Sequence, residues 1–181
     1  MDFRLRNRAR LRRKDIEALG ERLRTELGLA STLRSEDPWE EAEGPDRRYL
    51  LLSNEILGFY EGDVPFLTPR GLLAYKAEKR FVTVDMGAVR FVTNGADVMG
   101  PGITAADPGI RADDLVWVRE ERHGKPLACG VALADGTLLA TKPKGKQVRS
   151  VTYVGDRVWT FGEEEEADEA APADAAAKDD G

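Results

Sequence analysis

Cysteine, histidine and long apolar runs are scarce in this chain of 181 residues. The one cysteine, Cys129, has no partner for a disulfide within the chain, which fits a reducing compartment. Together with the one histidine, His123, it is too little for a structural zinc site. No apolar run approaches the roughly 20 residues that a membrane helix needs, and the N-terminus lacks the apolar stretch of a secretory signal. We therefore expect a cytoplasmic protein without a disulfide, a metal, a cofactor or membrane contact.

Residues of the common catalytic motifs are also missing. The sequence contains neither a phosphate-binding P-loop nor a dinucleotide-binding fingerprint. His123 lies in a polar turn and Cys129 in an apolar segment, so we interpret them as an exposed turn residue and a buried small hydrophobe. The run Glu163–Glu166 is a charge tract, because paired catalytic carboxylates need a walled pocket to shift their pKa. We therefore expect no enzymatic activity.

Charge is distributed unevenly along the chain. The formal net charge is −6, yet residues 1–14 carry seven basic side chains against Asp2, and residues 163–181 carry nine acidic side chains against Lys178. Such blocks are typical of interaction tails or solvated disorder. We predict that residues 163–181 form a disordered acidic tail, because they contain almost nothing to bury. The basic block predicts either an extended arm or the start of a helix.

The basic block is the first candidate site for RNA. Its side chains neutralise phosphates, and each such contact steepens the salt dependence of binding by about 0.9 on a log–log scale. The alternative is a solvated arm or helix face. The arginines assigned to RNA contact are Arg4, Arg6, Arg8, Arg10, Arg12 and Arg13.

The rest of the N-terminal half predicts a helix followed by a small antiparallel sheet. Apolar residues recur at the spacing of one helix face at Ile16, Leu19, Leu23 and Leu27. Asp15 is the predicted N-cap and Gly28 the residue that ends the helix. Residues 30–46 are interpreted as a polar connection. The predicted strands are Tyr49–Leu52, Ile56–Tyr60 and Val64–Leu67, and Leu72–Lys79 is a predicted helical link.

Short strands and turns follow in residues 115–161 and indicate a small closed sheet. The predicted strands are Leu115–Glu121, Pro126–Leu133, Leu138–Ala140, Val148–Val154 and Arg157–Phe161. Asp135-Gly136 is the predicted turn of a hairpin. We place a domain boundary near residue 78.

Glycine is concentrated between these two parts, in the stretch Phe81–Thr104. Two interpretations fit its middle: a β-hairpin with Asn94-Gly95 at the turn, and a short helix that Asp85 caps and Gly95 ends. Local propensity alone favours the hairpin. Small residues in this stretch would let an RNA backbone or an unstacked base approach main-chain amides, although they also suit tight turns and packing.

The order of motifs from this stretch onward resembles the PUA domain, a small RNA-binding pseudo-barrel. The resemblance lies in Val84-Asp85-Met86-Gly87-Ala88, Asn94-Gly95-Ala96-Asp97-Val98-Met99, Pro101-Gly102-Ile103, Leu115-Val116-Trp117-Val118, Lys125-Pro126-Leu127-Ala128, Gly130-Val131-Ala132, Gly145-Lys146 and Tyr153-Val154-Gly155-Asp156-Arg157-Val158-Trp159. It covers residues 79–161 in the expected order. In PUA domains the segment Asp85–Asn94 is a helix and Ala96–Met99 a strand, so the resemblance implies a strand–helix–strand unit here.

A basic amphipathic helix, a small meander and a PUA domain in this order resemble the archaeal relatives of the malignant T-cell-amplified sequence family. The resemblance implies an α+β fold, with an N-terminal lobe over residues 1–78 and a PUA pseudo-β-barrel over residues 79–162. It also implies binding to the small ribosomal subunit and to the 3′ end of tRNA, and a translation factor as partner protein. Asp113 and Gln147 depart from the family pattern without threatening the fold.

The resemblance and the residue chemistry together give a second set of candidate RNA contacts. Arg90 and Asn94 are expected on the exposed side of the short helix, whereas Phe91 and Met99 are expected in the core. A basic cluster beside Gly145 either follows an RNA backbone or protects a strand edge from aggregation. The assigned residues are Gly87, Ala88, Arg90, Asn94, Gly95, Ala96, Lys142, Lys144, Lys146 and Arg149.

We therefore expect a non-catalytic RNA-binding protein of translation. One alternative is an accessory subunit that presents tRNA to a modifying enzyme of the archaeosine or pseudouridine pathway. Another is a protein-interaction scaffold without RNA affinity. Crosslinking to RNA in cell extract would separate these hypotheses.

Overall fold

A computed structural model describes residues 2–163, which form eleven strands in two sheets. The strands are β1 (Arg6–Arg10), β2 (Glu40–Glu43), β3 (Arg48–Leu52), β4 (Glu55–Glu61), β5 (Val64–Leu67), β6 (Phe81–Val84), β7 (Val98–Met99), β8 (Ile103–Ala106), β9 (Leu115–Glu120), β10 (Pro126–Ala132) and β11 (Lys146–Tyr153). The helices are α1 (Arg13–Leu27), α2 (Pro69–Tyr75), α3 (Val89–Val92) and α4 (Gly136–Leu139), and residues 157–163 are also helical. Within residues 2–163 no helix has the length and apolar character needed to cross a bilayer.

The first sheet is an antiparallel meander in the order β1-β2-β3-β4-β5. It contains the three strands predicted between residues 49 and 67, and α1 buries the predicted apolar stripe beneath it. The helix begins at Arg13, before the predicted cap Asp15, because the carbonyl of Arg12 already accepts the N–H of Ile16 at 3.0 Å. Gly28 ends α1 in the left-handed conformation, as predicted.

The basic N-terminal segment is neither a free arm nor a helix start alone. It forms β1, an edge strand whose five residues are all exposed, and the polypeptide then enters α1. Its partner β2 has the sequence EEAE, so arginines lie opposite glutamates across the ladder, with Arg10 opposite Glu40 and Arg6 opposite Glu43. Opposite charges on paired strands stabilise the pairing, and charged side chains discourage further pairing at the open edge.

The prediction that residues 30–46 are a polar connection is wrong in part. This segment contains β2 and the side chain of Trp39, which is completely buried in the core with Leu33 and Ala42. These three apolar residues are spread over ten positions and show neither a strand nor a helix period. The sequence pattern therefore did not indicate that this segment contributes to the core.

The second sheet has the order β7-β11-β10-β9-β6-β8 and curves into a nearly closed barrel. The β6–β9 pair is parallel and the other pairs are antiparallel. Inward-facing valines of neighbouring strands, such as Val82, Val116 and Val148, fill the barrel core. Together the two sheets and their helices confirm the α+β prediction, with a small N-terminal lobe before a PUA-like barrel.

Two predicted strands in the second half are helical instead. Asp135-Gly136 is not a hairpin turn: Asp135 precedes α4, and its carboxylate accepts the N–H of Ala112 at 2.9 Å, so this dipeptide docks a short helix on the loop before β9. The segment predicted as Arg157–Phe161 is helical because the Asp156 carboxylate caps it, accepting the N–H of Trp159 at 2.9 Å. Both errors come from aspartates whose side chains bind the main chain rather than initiate a tight hairpin turn.

The first residue of the predicted acidic tail, Glu163, is the last residue of a described helix. Residues 157–163 lie against the first sheet, where the Arg70 side chain donates to the carbonyl of Trp159 at 2.6 Å and pairs with Glu163 at 2.5 Å. The remainder of the predicted tail, residues 164–181, lies outside the described residues.

One apolar core joins the two sheets. Leu115, Trp117 and Cys129 of the barrel pack into the same cluster as the core residues of the first lobe. The indole N–H of Trp117 donates to the carbonyl of Lys79 at 2.7 Å, and the Cys129 thiol contacts the carbonyl of Leu67 at 3.1 Å. The boundary near residue 78 stays a prediction, since the sheets separate there while the core is continuous.

Candidate nucleic-acid interface

The glycine-rich stretch forms a strand–helix–strand unit, as the PUA resemblance implied and local propensity did not. After β6, a single 3-10 turn at Met86–Ala88 leads into α3. The Asp85 carboxylate caps this turn by accepting the N–H of Ala88 at 3.0 Å. Gly95 follows α3 with φ of 91°, and β7 begins three residues later at Val98.

The turn at Met86–Ala88 and α3 form one wall of a groove of about 520 Å³, which we call the seam groove. The opposite wall consists of β7, the turn at Gly100–Gly102 and the start of β11. The lining residues are Asp85, Gly87, Ala88, Phe91, Val92, Ala96, Asp97, Val98, Met99, Pro101, Gly102 and Lys146. The structure therefore brings together four residues assigned to RNA from the sequence: Gly87, Ala88, Ala96 and Lys146.

Two large apolar side chains line the groove without being buried. Phe91 is 55% exposed and Met99 is 51% exposed. The prediction that both are core residues is wrong, because α3 has only four residues and turns just Val92 fully inward. The guanidinium of Arg90 lies 4.8 Å from the centre of the Phe91 ring.

A loop of residues 142–146, which we call the lysine loop, borders the groove. The N–H of Gly100 donates to the carbonyl of Gly145 at 2.9 Å. A Cβ atom at Gly100 would lie only 1.5 Å from the carbonyl oxygen of Pro143, so the close approach of loop and groove wall requires glycine there. Lys142 and Lys144 are exposed, and neither forms an ion pair with any residue in the range 2–163.

Lys146 differs from the other lysines because its charge is paired. Its ammonium lies 3.0 Å from the carboxylate of Asp97. The same carboxylate accepts the N–H of Ser150 at 2.7 Å. The Ser150 hydrogen bond, followed by the contact with Lys146 and the charge of nearby Arg149, holds the pKa of Asp97 below its ordinary value. Asp97 is therefore ionised at neutral pH and offsets part of the positive charge at this end of the groove.

The remaining predicted residues of the unit lie beside the groove rather than in its lining. The Cα of Gly95 is covered by the ring of Tyr153, which a Cβ atom would approach to 2.9 Å. Glycine at position 95 therefore serves the turn geometry and the packing against Tyr153. Asn94 and Arg90 are exposed on the outer side of the unit. Arg149 is exposed on β11.

The second predicted set, on β1 and the start of α1, lies on the other sheet. Arg8 is bound by the Glu40 carboxylate at 2.6 Å and by Asn54, so its charge is largely compensated. The exposed Arg4 lies 3.5 Å from Asp2. The arginines that pair with no carboxylate among residues 2–163 are Arg6, Arg10, Arg12 and Arg13. Arg12 and Arg13 stand at the positive end of the α1 dipole, where each cation costs about 0.3–1 kcal/mol and an anion would be stabilised.

Groups with chemical reactivity are engaged in the fold. Cys129 is buried, and this burial raises the pKa of its thiol well above the ordinary value, as expected for a buried small hydrophobe. The His123 side chain is exposed in the turn after β9, and the main-chain N–H of this residue donates to the Glu120 carboxylate at 2.5 Å. Among residues 2–163, no three His, Cys, Asp or Glu side chains are close enough to hold a metal ion.

Comparison with known proteins agrees with this geometry. The PUA domain family matches residues 80–154. The uncharacterized protein MJ1432 of Methanocaldococcus jannaschii is 40% identical over 116 residues, which are 64% of this chain and 72% of that protein. Translation machinery-associated protein 20 of Saccharomyces cerevisiae is 30% identical over 118 residues, and malignant T-cell-amplified sequence 2 of Homo sapiens is 32% identical over 116 residues. Each of these two matches covers 61% of this chain, and the matches span 64% and 63% of those proteins.

Solved structures extend the similarity over both sheets. A hypothetical protein from Pyrococcus horikoshii superposes with a TM-score of 0.71 at 30% identity, over 84% of this chain and 98% of that chain. A conserved PUA domain protein from Thermoplasma acidophilum superposes with a TM-score of 0.71 at 25% identity, over 86% of this chain and 99% of that chain. The PUA barrel and the translation-associated relatives point to an RNA-binding role. The chain belongs to the PUA-domain family that includes the archaeal proteins of M. jannaschii and P. horikoshii, and it is a relative of the malignant T-cell-amplified sequence proteins.

Proposed function

We propose that this protein is a non-catalytic, cytoplasmic RNA-binding protein of translation that holds a single-stranded RNA end in the seam groove. The observation that carries the proposal is the exposure of Phe91 and Met99 across a groove bordered by main chain and lysines. Exposed aromatic rings beside accessible amides suit unstacked bases, which are the usual target of sequence-specific RNA recognition. The groove volume, about 520 Å³, falls within the range of roughly 300–1,000 Å³ typical of small-ligand pockets.

The groove supplies the two kinds of contact that an RNA end needs. Phe91 and Met99 offer apolar surface for a base, and stacking on an aromatic ring contributes about 1–3 kcal/mol per base. Lys142 and Lys144, on the loop beside it, carry unpaired positive charge for phosphates. Arg90, Asn94, Gly95 and Arg149 lie next to this track and belong to the proposed contact surface.

The basic strand β1 is the second proposed contact. Arg6 and Arg10 are exposed, and Arg12 and Arg13 add positive charge at the start of α1. Side chains of this kind position a nucleic acid through its phosphates without reading its sequence. Because Glu40 already compensates Arg8, we expect Arg8 to contribute less than sequence composition indicated.

The proposed targets are the 3′ end of tRNA and the small ribosomal subunit, with a translation factor as partner protein. The support is the similarity to relatives named for the translation machinery. Ultraviolet crosslinking in extract of the source cells, followed by sequencing of the attached RNA, tests the target directly. Recovery of tRNA 3′ ends or small-subunit RNA supports the proposal, whereas recovery of neither contradicts it.

Co-purification under the same conditions tests the partner. We expect ribosomal subunits and a translation factor. A transglycosylase or pseudouridine synthase in their place would favour the accessory-subunit hypothesis. The double variant Phe91→Ala/Met99→Ala serves as the control, because it removes the proposed stacking surface while leaving the barrel core intact.

Deleting the basic segment is a poor test, because residues 1–13 include β1 and also Phe3, whose ring packs 5.4 Å from that of Tyr49. The variant Arg6→Gln/Arg10→Gln removes charge and keeps the strand. We expect weaker RNA binding and a salt slope lower by about 0.7 for each lost contact with a single strand. The matched control is Arg34→Gln/Arg111→Gln, which removes two exposed arginines elsewhere. An unchanged slope in the β1 variant would remove β1 from the interface.

A further inference from the structure

Arg119 of β9 is a half-buried guanidinium without a carboxylate partner. Its Cζ lies 3.8 Å from the centre of the Phe81 ring and 5.7 Å from that of Trp117. Its Nε donates to the Thr83 hydroxyl at 2.9 Å. These contacts fix the plane of the guanidinium and leave its two Nη groups without a hydrogen-bond acceptor in residues 2–163.

This lack of a counter-charge distinguishes Arg119 from the other half-buried arginines of the described chain. Arg47, Arg48, Arg70 and Arg80 each form an ion pair with at least one carboxylate. Burial without such a partner lowers the pKa of Arg119. A partly desolvated cation is costly unless an anion compensates it, so the site favours an anionic ligand.

The carboxylate of the adjacent Glu120 does not occupy the site. Successive side chains of a strand point to opposite faces, so Glu120 lies on the other side of the sheet from Arg119. The Glu120 carboxylate accepts the N–H groups of His123 and Lys125 and stays within the turn. Thr83 is the residue opposite Arg119 in the β6–β9 pair, and the Thr104 hydroxyl lies 3.4 Å from the carbonyl of Thr83.

Arg119 lies just beyond one end of the seam groove. Thr83 is opposite Arg119 in the β6–β9 pair and precedes the groove residue Asp85 by two positions. Two residues of a strand span about 6.6 Å. On the adjacent strand, the groove residue Gly102, whose carbonyl accepts the N–H of Asp85 at 2.9 Å, precedes Thr104 by two positions. Strand register thus places Arg119 and the exposed Thr104 beyond this end of the groove, with the buried Thr83 on the strand between them.

We propose that Arg119 binds a backbone phosphate of the RNA strand where that strand leaves the seam groove. This inference rests on the proposed function. The flat guanidinium, held by Phe81 and Thr83, presents both Nη groups in the fork geometry that matches two phosphate oxygens. An RNA whose 3′ end occupies the groove would reach Arg119 with the first phosphates on the 5′ side of the nucleotides in the groove.

The test compares two RNA probes, the dinucleotide CA and a nonanucleotide that ends in ACCA. In Arg119→Gln we expect about tenfold weaker binding of the nonanucleotide, with a salt slope lower by about 0.7, and unchanged binding of the dinucleotide. Arg119→Lys keeps the charge and loses the fork, so we expect an intermediate affinity. Arg122→Gln, an exposed arginine in the adjacent turn, is the matched control and should bind both probes like the wild type. Equal affinity of Arg119→Gln and wild type for the nonanucleotide overturns the inference.

Nuclear magnetic resonance of the wild type separates a direct RNA contact of Arg119 from an effect of Arg119→Gln on stability. In the wild type, the Nε–H resonance of Arg119 should shift on addition of the nonanucleotide and not on addition of the dinucleotide. If the resonance shifts with neither probe, the inference is wrong. Phe91→Ala separates the two proposals: if it weakens binding of both probes and Arg119→Gln weakens neither, only the Arg119 contact fails. If neither variant affects either probe, the groove proposal fails too.

Discussion

Asp97 and Lys146 face each other at the edge of the seam groove, with carboxylate and ammonium 3.0 Å apart. Asp97 lies just before β7, and Lys146 is the first residue of β11, directly opposite Met99 in the β7–β11 ladder. The ion pair therefore links the edge strand β7 to β11. It also neutralises the charge of Lys146, a residue predicted to contact RNA. We therefore expect the charge at position 97 to affect how strongly the groove binds RNA phosphate.

Replacing Asp97 by asparagine should strengthen RNA binding. The variant frees the Lys146 charge and keeps an amide oxygen that can accept the Ser150 N–H. We expect about threefold higher affinity for single-stranded RNA and a salt slope steeper by about 0.7. Asp113→Asn, which removes an exposed carboxylate elsewhere, is the control. Unchanged affinity in a folded Asp97→Asn protein would mean that Lys146 takes no part in binding.

The titration of Asp97 should show which contact lowers its pKa. Its pKa in the fold lies below the ordinary value of 3.8, chiefly through the Ser150 N–H and secondarily through Lys146. A depressed pKa stabilises the fold above the unfolded-state pKa, and this contribution disappears as the pH falls through the pKa of the folded state. A carboxyl ¹³C titration should place the midpoint of wild type below 3.8 and that of Lys146→Gln between the two. A midpoint that returns fully to 3.8 in Lys146→Gln would contradict the leading role of Ser150.

Removing the Phe91 ring should weaken RNA binding without destabilising the protein. The side chain is 55% exposed, so Phe91→Ala leaves no core cavity. Loss of one base stack corresponds to about 1–3 kcal/mol, or roughly 5- to 150-fold in affinity. The control is Leu138→Ala, which removes a side chain of similar exposure, 52%, outside the groove. Fluorescence anisotropy with labelled RNA measures the first effect and urea unfolding the second; equal affinities of the two variants would exclude stacking on Phe91.

Gly95 should tolerate alanine less well than another glycine with positive φ. At Gly95 a Cβ atom meets the Tyr153 ring at 2.9 Å, whereas at Gly62 nothing lies within 4 Å. Both substitutions incur the left-handed backbone cost of about 1–2 kcal/mol. We expect Gly95→Ala to lose about 1 kcal/mol more than Gly62→Ala in urea unfolding, because the ring must shift. Equal losses would show that Tyr153 moves freely and that backbone geometry alone requires glycine.

Local patterns predicted those elements whose stabilising contacts lie within the element or in a neighbouring hairpin. The stripe of Ile16, Leu19, Leu23 and Leu27 marks α1, and the alternation of apolar segments and turns marks β3 to β5. The strand–helix–strand unit followed from the family resemblance, since its local propensity favours a hairpin. The segments that local patterns missed, β2 and α4, depend on partners elsewhere in the chain: β2 on the arginines of β1, and α4 on the loop before β9.

The candidate site was likewise predicted only in part from the sequence. The sequence indicated which residues are small, basic or glycine, and four of them do line the seam groove. It misplaced Phe91 and Met99, because an apolar residue carries the same pattern whether its neighbours cover it or leave it exposed.

The sequence alone determined the α+β class, the family, the apolar stripe of α1 and the two charge blocks. Each of these depends only on residue type and on order along the chain. The tertiary structure decided which charges remain available: Glu40 compensates Arg8, Asp97 compensates Lys146, and no carboxylate of residues 2–163 compensates Arg119. Ion pairing depends on distances of a few ångströms between residues remote in sequence, and only folding sets those distances.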